Sequence, residues 1–543
     1  MSSLSARPGA AFGVYPERER VHPGWLQQSV DWAALWVSSG LFSGAGKHGR
    51  IIADINRQGD VLSKEQVDGL CTQAAQLRRQ FATQGQSDAL VTASFALVRE
   101  AALQYLNVRL FDEQLMAGWV MFKGGLAEMA TGEGKTVATL LPACAAALAG
   151  IPVHVISTND RLAKRNAKLF KPVYEALGIN VGLVEAGTPI GQRRAAYQCE
   201  VTYCSSKQLA FDYLQDRLLL NRQSGILQLQ LGRLSKTGAV ADQLRLRGLC
   251  YAIIDDADSI LIDESLSPLI LTRSGRATRS PAKVEGDVLA RTSFPRFFQR
   301  YLKLSGVASN LRELTQEMHA TYGLRVHRVA ARKPSLRRIA ADQVFVGHSS
   351  KWQAICDSAK EKYRNGQPVL VITRSPEDSA QLGQLLAVAG VPHQLADANK
   401  QDDSVHPLAK AGRRGAVTVS SMGLGHGAEI PVGDHAQQLG GLHVILSERH
   451  GAARIDDRFM GYCARRGEPG SAAAMLSLED ALAQDFLPAW MHSLLQRTCL
   501  KGAGQCLRLA QKKQQRLAAR ARQQSLTADR QLDELLAFSG TAL

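Results

Sequence analysis

The stretch that most constrains this chain is the decapeptide Ala127-Glu-Met-Ala-Thr-Gly-Glu-Gly-Lys-Thr136, which an apolar run follows. A glycine-rich turn that opens a helix directs several backbone N–H groups, and the positive end of the helix dipole, at one point where a phosphate binds well. We then expect Lys135 to reach the β- and γ-phosphates and the Thr136 hydroxyl to hold Mg²⁺. An ordinary strand-turn-helix is the alternative for this segment alone, because Met129 stands where such loops usually carry a small residue.

A second segment favours the nucleotide hypothesis. The run Tyr251-Ala-Ile-Ile-Asp255-Asp256 is apolar and ends in carboxylates. Continuous apolar runs are typical of buried parallel strands, and ligands bind at the carboxyl ends of such strands. An aspartate there can hold the Mg²⁺ that bridges nucleotide phosphates. The loop and the carboxylate strand, in this order, predict a P-loop NTPase.

Composition limits the class of protein and its partners. The chain has 543 residues, of which 45% are hydrophobic and 21% charged, so we expect two to four globular domains. The net charge of +16 favours acidic partners such as nucleic acid, anionic lipid or an acidic protein. A basic charge scattered over the surface is the equally weighted alternative.

The cysteines and the apolar runs indicate where the protein works. Nine cysteines without a CxxC pair predict reduced thiols in a cytoplasmic protein and no zinc site. The N-terminus lacks the apolar core of a signal peptide, and the longest apolar run, residues 137–149, is too short to span a bilayer. We therefore expect a cytoplasmic protein that is not integral to a membrane, with peripheral binding left open.

Strand and helix patterns alternate along two parts of the chain, which predicts two parallel sheets with helices on both faces. Residues 222–248 and 273–297 are polar and are predicted to be irregular. The second of these segments is basic and is interpreted as a connector rather than a contact surface. Residues 505–535 predict a basic helix.

Specific segments in a fixed order resemble the motor of the SecA family, the ATPases that drive preproteins through the Sec channel. The likeness extends from about residue 85 to residue 485. Besides the phosphate loop and the carboxylate strand, the matching segments are residues 98–102, 111–114, 153–160, 211–216, 366–370, 415–418, 440–445, 448–450, 467–471 and 476–480.

The resemblance implies an α/β fold with two RecA-like P-loop sheet domains, a superfamily 2 motor, between helical N- and C-terminal segments. The implied domains are a segment 1–84 that is partly irregular and then helical, a first motor domain 85–330, a second motor domain 331–482, and a truncated helical scaffold 483–543. In the family a preprotein-binding domain is inserted in the first motor domain, and here only the basic connector 273–297 stands in its place.

The resemblance also implies site residues for ATP and Mg²⁺. Gln114 would read the adenine. Asp255, with Thr136, would organise Mg²⁺, and Asp256 would orient the attacking water. From the second domain, Glu429 would touch the nucleotide and Arg465 would stabilise charge on the transferring phosphate. The phosphates would be held by Gly132, Glu133, Gly134, Lys135 and Thr136.

The departures from the family pattern cluster at the chemistry. The family has Asp-Glu where this chain has Asp255-Asp256, and a carboxylate one bond shorter loses reach to the water. Ala130 replaces an arginine of the loop, and His426 replaces one in the segment that ends at Glu429. In the final motif Tyr462 stands where one of two arginines is expected. We therefore expect binding to persist better than hydrolysis; a working enzyme that tolerates these changes is the alternative.

Three functions remain open at this point. The first is an ATPase subunit of protein export that contacts preproteins, the Sec channel or another export component, and an anionic lipid surface on the inner face of the cytoplasmic membrane. The second is a nucleotide-binding regulator with little turnover. The third, a nucleic-acid motor, is less favoured because no aromatic and basic residues interleave as in a stacking platform, so no nucleic-acid partner is expected.

Overall fold

The structure, a computed structural model, describes residues 15–18, 45–62, 69–222, 243–266, 269–272, 277–278, 288–396, 407–421, 430–498, 500 and 502–538. The chain divides into two compact units. The first comprises Met1–Met129, Gly134–Ala330 and Arg522–Leu543, and the second comprises Ala130–Glu133 and Ala331–Ala521.

Within the described residues, four helices precede the first sheet, and strands and helices follow along the first unit. The helices are α1 Ala45–Leu62, α2 Gly69–Gln84, α3 Asp88–Leu106, α4 Asp112–Phe122, α5 Lys135–Ala138, α6 Leu140–Leu148, α7 Asp160–Ala176, α8 Ile190–Gln198, α9 Ser206–Arg222, α10 Phe294–Gln299 and α11 Thr315–Tyr322. The strands are β1 Leu126–Glu128, β2 Val153–Ser157, β3 Val181–Val184, β4 Val201–Ser205, β5 Tyr251–Asp255, β6 Leu269–Thr272, β7 Ala277–Thr278, β8 Val288–Thr292, β9 Lys303–Ala308 and β10 Val326–Arg328.

The main sheet of the first unit is parallel and runs in the order β10-β1-β9-β5-β2-β4-β3. All residues of β2 and β4 are buried, as expected for strands that are covered on both faces. Alternate residues of β5 pack on opposite faces: Ile253 joins one apolar cluster and Ile254 the other. The carboxyl ends of β1, β2, β5 and β9 consequently meet at one edge of the sheet.

The connector predicted at residues 273–297 is not wholly irregular, which corrects the sequence interpretation. Strands β7 and β8 lie within it and pair antiparallel with β6 in a small sheet, and α10 begins at Phe294. The arginines of this segment give it a polar composition, although β8 contains a short aliphatic run. The pairing of β8 with β6 is seen only in the folded structure. Of residues 222–248, also predicted to be irregular, residues 223–242 lie outside the described part.

The second unit repeats the alternation of strands and helices. Its strands are β11 Leu336–Ile339, β12 Gln343–Phe345, β13 Val369–Thr373, β14 Gln394–Ala396, β15 Val417–Ser421, β16 Leu442–Leu446 and β17 Pro469–Ser477. Its helices are α12 His348–Arg364, α13 Pro376–Val388, α14 Asp434–Gln438, α15 Ala453–Met460, α16 Ala481–Phe486, α17 Ala489–Arg497 and the first part of α18 Ala503–Phe538.

The second sheet is also parallel, in the order β11-β17-β16-β13-β15-β14, with β12 paired to β17. Strands β13, β15 and β16 are buried along their whole length. The fold class predicted from the sequence, α/β with two sheet domains, is confirmed. The second sheet begins with the exposed edge strand β11, whose polar sequence Leu-Arg-Arg-Ile lacks a strand-like apolar run.

The long helix α18 is the basic helix predicted from the sequence. In the second unit the Gln511 amide donates to the backbone oxygen of His450 (2.8 Å) and to the Asp456 carboxylate (2.7 Å). In the first unit, the Arg522 guanidinium makes two bonds to the Glu317 carboxylate, of 2.5 and 2.8 Å. No helix within the described residues is both long and apolar enough to cross a membrane.

Candidate active site

Two glycines of the phosphate loop adopt left-handed backbone conformations, as the loop hypothesis requires. The φ angles are 91° at Gly132 and 79° at Gly134, a region that favours glycine. Gly134 caps α5, and a Cβ atom at this position would meet Nε2 of Gln114. The left-handed backbone therefore favours glycine at position 134, and the Gln114 side chain lies against the same place.

Two side chains that begin α5 point to different strand ends of the first sheet. The Lys135 ammonium donates a hydrogen bond to Ser309 Oγ, which follows β9. The Thr136 hydroxyl donates to Asp255 Oδ2 at 3.1 Å, and Asp255 is the last residue of β5. The structure thus brings together the predicted phosphate lysine, the predicted metal hydroxyl and the predicted metal carboxylate.

The pair Thr136–Asp255 has a geometry that fits Mg²⁺. Adjacent ligands of an octahedral Mg²⁺, each about 2.0–2.1 Å from the metal, lie about 3 Å apart. The 3.1 Å between the Thr136 hydroxyl and the Asp255 carboxylate matches that separation. Asn166 Nδ2 on α7 also donates to Asp255 Oδ2, at 3.4 Å, and so orients the same carboxylate. The two oxygens are therefore close enough to contact one cation.

The electrostatic surroundings of Asp255 favour a bound cation. Burial, together with the neighbouring negative charge of Asp256, raises the pKa of the Asp255 carboxyl to about 7, against the opposing effects of Lys135, Thr136 and Asn166. A raised pKa means that the ionised form is poorly solvated. A divalent cation at this position would stabilise the ionised carboxylate.

Asp256, the predicted water-orienting residue, directly follows β5 in a left-handed conformation with φ 61°. Its backbone oxygen accepts hydrogen bonds from the N–H groups of Ser259 (3.0 Å) and Ile260 (3.3 Å), which start the next turn. Aspartate tolerates this conformation better than most residues with a Cβ atom. The turn therefore fixes the backbone of Asp256 beside Asp255, and its catalytic role stays a prediction.

Gln114, the predicted adenine reader, lies in the first turn of α4 and is buried. Its side-chain oxygen accepts the backbone N–H of Phe111 at 3.0 Å and so caps the helix. The capping bond fixes Gln114 beside Gly134, close to the phosphate loop. This location is compatible with contact to a nucleotide, and adenine recognition itself remains a prediction.

The predicted site residues of the second unit are only partly described. Glu429 lies outside the described residues, as does His426. Arg465 begins a short 3₁₀ turn, where its Nε donates to the backbone oxygen of Gly461 at 3.0 Å and its guanidinium lies 4.9 Å from the centre of the Tyr462 ring. The roles of Glu429 and Arg465 both stay predictions.

Two residues at the site were missed by the sequence interpretation, namely Ser309, which contacts Lys135, and Asn166, which contacts Asp255. A signal for Ser309 exists, because it directly follows the apolar strand β9 and the carboxyl ends of parallel strands share an edge. No comparable signal exists for Asn166, which is one polar residue within an amphipathic helix.

The second sheet carries a different kind of polar cluster at its carboxyl edge. Lys351 on α12 is fully buried, and its ammonium lies 2.6 Å from the Asp480 carboxylate and 3.9 Å from the Glu448 carboxylate. Arg374 also pairs with Glu448, at 3.3 Å. Asp480, Glu448 and Arg374 follow β17, β16 and β13, so ion pairs join three strand ends. We name these four residues the Lys351 cluster.

Comparison with known proteins decides the family. The family model of the SecA DEAD-like domain matches residues 42–285, and that of the SecA P-loop domain matches residues 334–439 and 433–503. The protein translocase subunit SecA 2 of Bordetella avium is 32% identical, with 99% of this chain and 100% of that relative covered. The chain belongs to the SecA family. SecA 3 of Magnetococcus marinus is also 32% identical, over 84% of this chain and 87% of its own length.

The SecA family resemblance stated from the sequence is thereby confirmed, and with it the two-domain P-loop organisation. Longer relatives match as well: SecA of Nitratidesulfovibrio vulgaris strain DP4 is 29% identical over 82% of this chain and 65% of its own length. Among solved structures, the DUF1998 helicase MrfA bound to DNA aligns with 72% of this chain and 52% of its own at a TM-score of 0.48 and 12% identity. That likeness is too weak to support an inference about this SecA-family chain.

Proposed function

We propose that this chain is an ATP-binding motor subunit of protein translocation, which binds ATP and Mg²⁺ at the carboxyl edge of its first sheet. The observation that carries the proposal is the convergence of Lys135, Thr136 and Asp255 on that edge, with a hydroxyl-to-carboxylate distance of 3.1 Å. Membership of a family whose relatives are named protein translocase subunits supports the transport role. A nucleic-acid motor is not favoured by these names.

Each residue of the chain has a distinct task in this proposal. Lys135 binds the terminal phosphates, and the loop N–H groups beside Gly132 and Gly134 donate hydrogen bonds to the remaining phosphate oxygens. Thr136 and Asp255 hold Mg²⁺, which when bound neutralises charge on the phosphates. Asp256 orients the attacking water through its carboxylate.

The second unit and the cellular partners complete the proposal. In the second unit, Arg465 stabilises charge on the transferring phosphate and Glu429 contacts the nucleotide. The partners are preproteins and the Sec channel or another export component, and the chain works in the cytoplasm at the inner face of the membrane, where its net charge of +16 favours anionic lipid.

A regulator with little turnover is the second candidate, and the residue Asp256 favours it. The carboxylate of Asp256 is one methylene shorter than the glutamate of the family pattern, and misplacement on that scale lowers a rate about a hundredfold. In this case the chain would bind ATP with ordinary affinity and hydrolyse it at a rate close to that of a dead variant.

ATP turnover of the purified chain beside the Lys135→Ala variant tests the proposal. We expect Lys135→Ala to lower turnover about a hundredfold or more, because it removes a cation from the developing phosphate charge. Lys164→Ala is the matched control, since Lys164 is exposed and pairs with Glu185 at 3.4 Å, a surface pair of little energetic value. If the parent chain binds ATP but hydrolyses it no faster than Lys135→Ala does, the proposal of an ATPase is rejected and the low-turnover regulator is favoured.

A second measurement tests the transport role separately. We expect inverted membrane vesicles that contain the Sec channel, together with an unfolded preprotein, to raise the ATP turnover of the parent chain. Stimulation by single-stranded nucleic acid, lost at high salt, would instead favour the nucleic-acid motor. No response to vesicles and preprotein would contradict the transport role while leaving ATP hydrolysis intact.

A further inference from the structure

A short N-terminal segment, residues 15–18, lies in a groove of the first unit, and we name it the strap. Its backbone is hydrogen-bonded from both sides: the Pro16 oxygen accepts the Leu249 N–H (2.7 Å), and the Arg18 N–H donates to the Arg300 oxygen (2.7 Å). Extended peptides that bind to protein surfaces are commonly held by such alternating main-chain bonds. The strap is thus bound in the manner of a peptide ligand.

The groove contains a built binding site for a carboxylate. Both oxygens of the Glu17 side chain are contacted: Oε1 by the guanidinium groups of Arg217 (3.2 Å) and Arg300 (3.1 Å), and Oε2 by the Tyr213 hydroxyl (3.2 Å). Within the described residues, Glu17 is the carboxylate that these two arginines share, and their side chains are only 21% and 10% exposed. Without it, two poorly hydrated cations would lie side by side, so the groove needs an anionic occupant.

The groove also fits the two residues that precede Glu17. Pro16 is buried against Gly248, where a Cβ atom would lie 2.5 Å from the proline ring, and Gly248 has a φ of 93°. Tyr15 packs against the apolar core of this unit, and its hydroxyl reaches the buried Asp216 carboxylate at 3.5 Å. Three successive side chains of the strap, aromatic, proline and acid, are therefore recognised by different parts of the groove.

We propose that this groove is a peptide-recognition site for extended segments with an aromatic residue, a proline and a carboxylate in succession, and that the strap is its resident, displaceable occupant. The groove is formed by α9, by the loop that leads into β5 and by the turn between α10 and β9. This proposal does not rest on the proposed function, because no nucleotide takes part in the recognition. It adds a peptide ligand at a location separate from the phosphate loop.

The strap has a large advantage over any added peptide, because it is tethered to the groove by its own chain. An added peptide should therefore bind well only when the strap is weakened. The test uses a fluorescein-labelled peptide of residues 11–20, titrated into the full chain and into the full chain that carries Tyr15→Ala and Glu17→Ala, with fluorescence anisotropy as the readout. We expect saturable binding to the double variant and binding at least about tenfold weaker to the parent.

Altered peptides and an altered groove make the test specific. A peptide with Glu17→Ala should bind the double variant at least about tenfold more weakly, since charge-assisted hydrogen bonds are lost, whereas a peptide with Glu19→Ala is the matched control and should bind normally. Adding Arg300→Ala to the double variant should also remove binding. Equal affinity for the Glu17→Ala peptide, or binding to the parent as tight as to the double variant, would overturn the proposal.

Loss of folding is distinguished from loss of recognition by thermal melting of each variant. A double variant that melts like the parent and binds no peptide would contradict the proposal directly. If the double variant fails to fold, the titration is repeated with the full chain that carries Glu17→Ala alone, and absence of saturable binding there would overturn the proposal as well. Neither measurement depends on ATP. A negative result for peptide binding therefore leaves the proposed function unaffected.

Discussion

The carboxyl edges of the two sheets carry polar residues at corresponding places, but these residues are used differently. At the first edge, Lys135 donates a hydrogen bond to Ser309, and Thr136 donates one to the Asp255 carboxylate. At the second edge, Lys351 and Arg374 are ion-paired with Asp480 and Glu448. The buried Asp255 carboxylate of the first edge therefore favours a bound cation. At the second edge the cations and carboxylates of the protein pair with one another.

This difference teaches how one architecture supports two roles. A carboxylate that is buried without a full counter-charge destabilises the fold and binds a cation in return. A lysine that is buried with two carboxylates holds strand ends together, and its removal weakens the charge compensation of the buried carboxylates. Substitutions at the two edges should consequently have opposite consequences for stability and for binding.

The largest effect is expected for Lys351→Met, which breaks the Lys351 cluster. Removal of one partner from a buried ion pair leaves the other charge unpaired and costs about 3–5 kcal/mol. Urea denaturation should therefore show a loss of that size in the free energy of unfolding of the second unit. Lys360→Met on the same helix is the control and should change it by much less. A loss below about 1 kcal/mol for Lys351→Met would break the comparison.

The interiors of the two sheets, unlike their edges, are expected to respond to pH in the same way. Each contains a buried histidine that can be substituted to test this. Burial lowers the pKa of His154 in β2 to about 3 and that of His443 in β16 to about 4. Because protonation then favours the unfolded chain, stability is complete above pH 6.5 and is lost as the pH falls toward the folded-state pKa. For His154 the loss between pH 7 and pH 4 is about 3 kcal/mol.

His154→Gln should remove that part of the pH dependence, measured by urea denaturation at both pH values. His443→Gln should remove a similar but smaller part. The exposed His435→Gln serves as the control and should leave the pH dependence unchanged. An unchanged pH dependence in both buried-histidine variants would show that the two interiors do not hold neutral histidines.

Asp255→Asn tests the first edge. Turnover of Mg²⁺-ATP should fall by about a hundredfold, since a neutral amide is a poor Mg²⁺ ligand. The unfolding free energy of the nucleotide-free chain should not fall, because the amide has nearly the same size and removes a poorly solvated charge. Asp54→Asn, which alters an exposed pair with Arg57, is the control for both measurements. A large loss of stability would place Asp255 in the same structural class as Lys351.

The smallest effect is expected for Asp256→Glu, which lengthens the carboxylate to that of the family pattern. We expect turnover to rise about tenfold, because the base gains reach to the attacking water. The left-handed backbone at φ 61° should make the variant about 1 kcal/mol less stable, since glutamate tolerates this conformation less well than aspartate. If Asp256→Glu hydrolyses ATP at the same rate as Asp256→Ala, the side chain at position 256 has no catalytic role.

Much of this protein follows from local sequence pattern. The glycines at positions 132 and 134 indicate the phosphate loop because few other residues adopt their backbone angles. Apolar runs such as β5 and β13 indicate buried parallel strands, and their polar ends identify the edge where ligands bind. The resemblance to the SecA family adds the order of the segments, and the comparisons confirm membership of that family.

The tertiary structure alone decides which polar residues meet. Asn166 and Ser309 join the first site, and Lys351 reaches Asp480, 129 residues away, because strand order and helix packing bring distant parts of the chain together. The strap is the clearest case: nothing in Tyr-Pro-Glu-Arg indicates a ligand until Arg217 and Arg300 surround Glu17. Local sequence determines backbone preference and burial, whereas the pairing of charges depends on distances that only the folded chain defines.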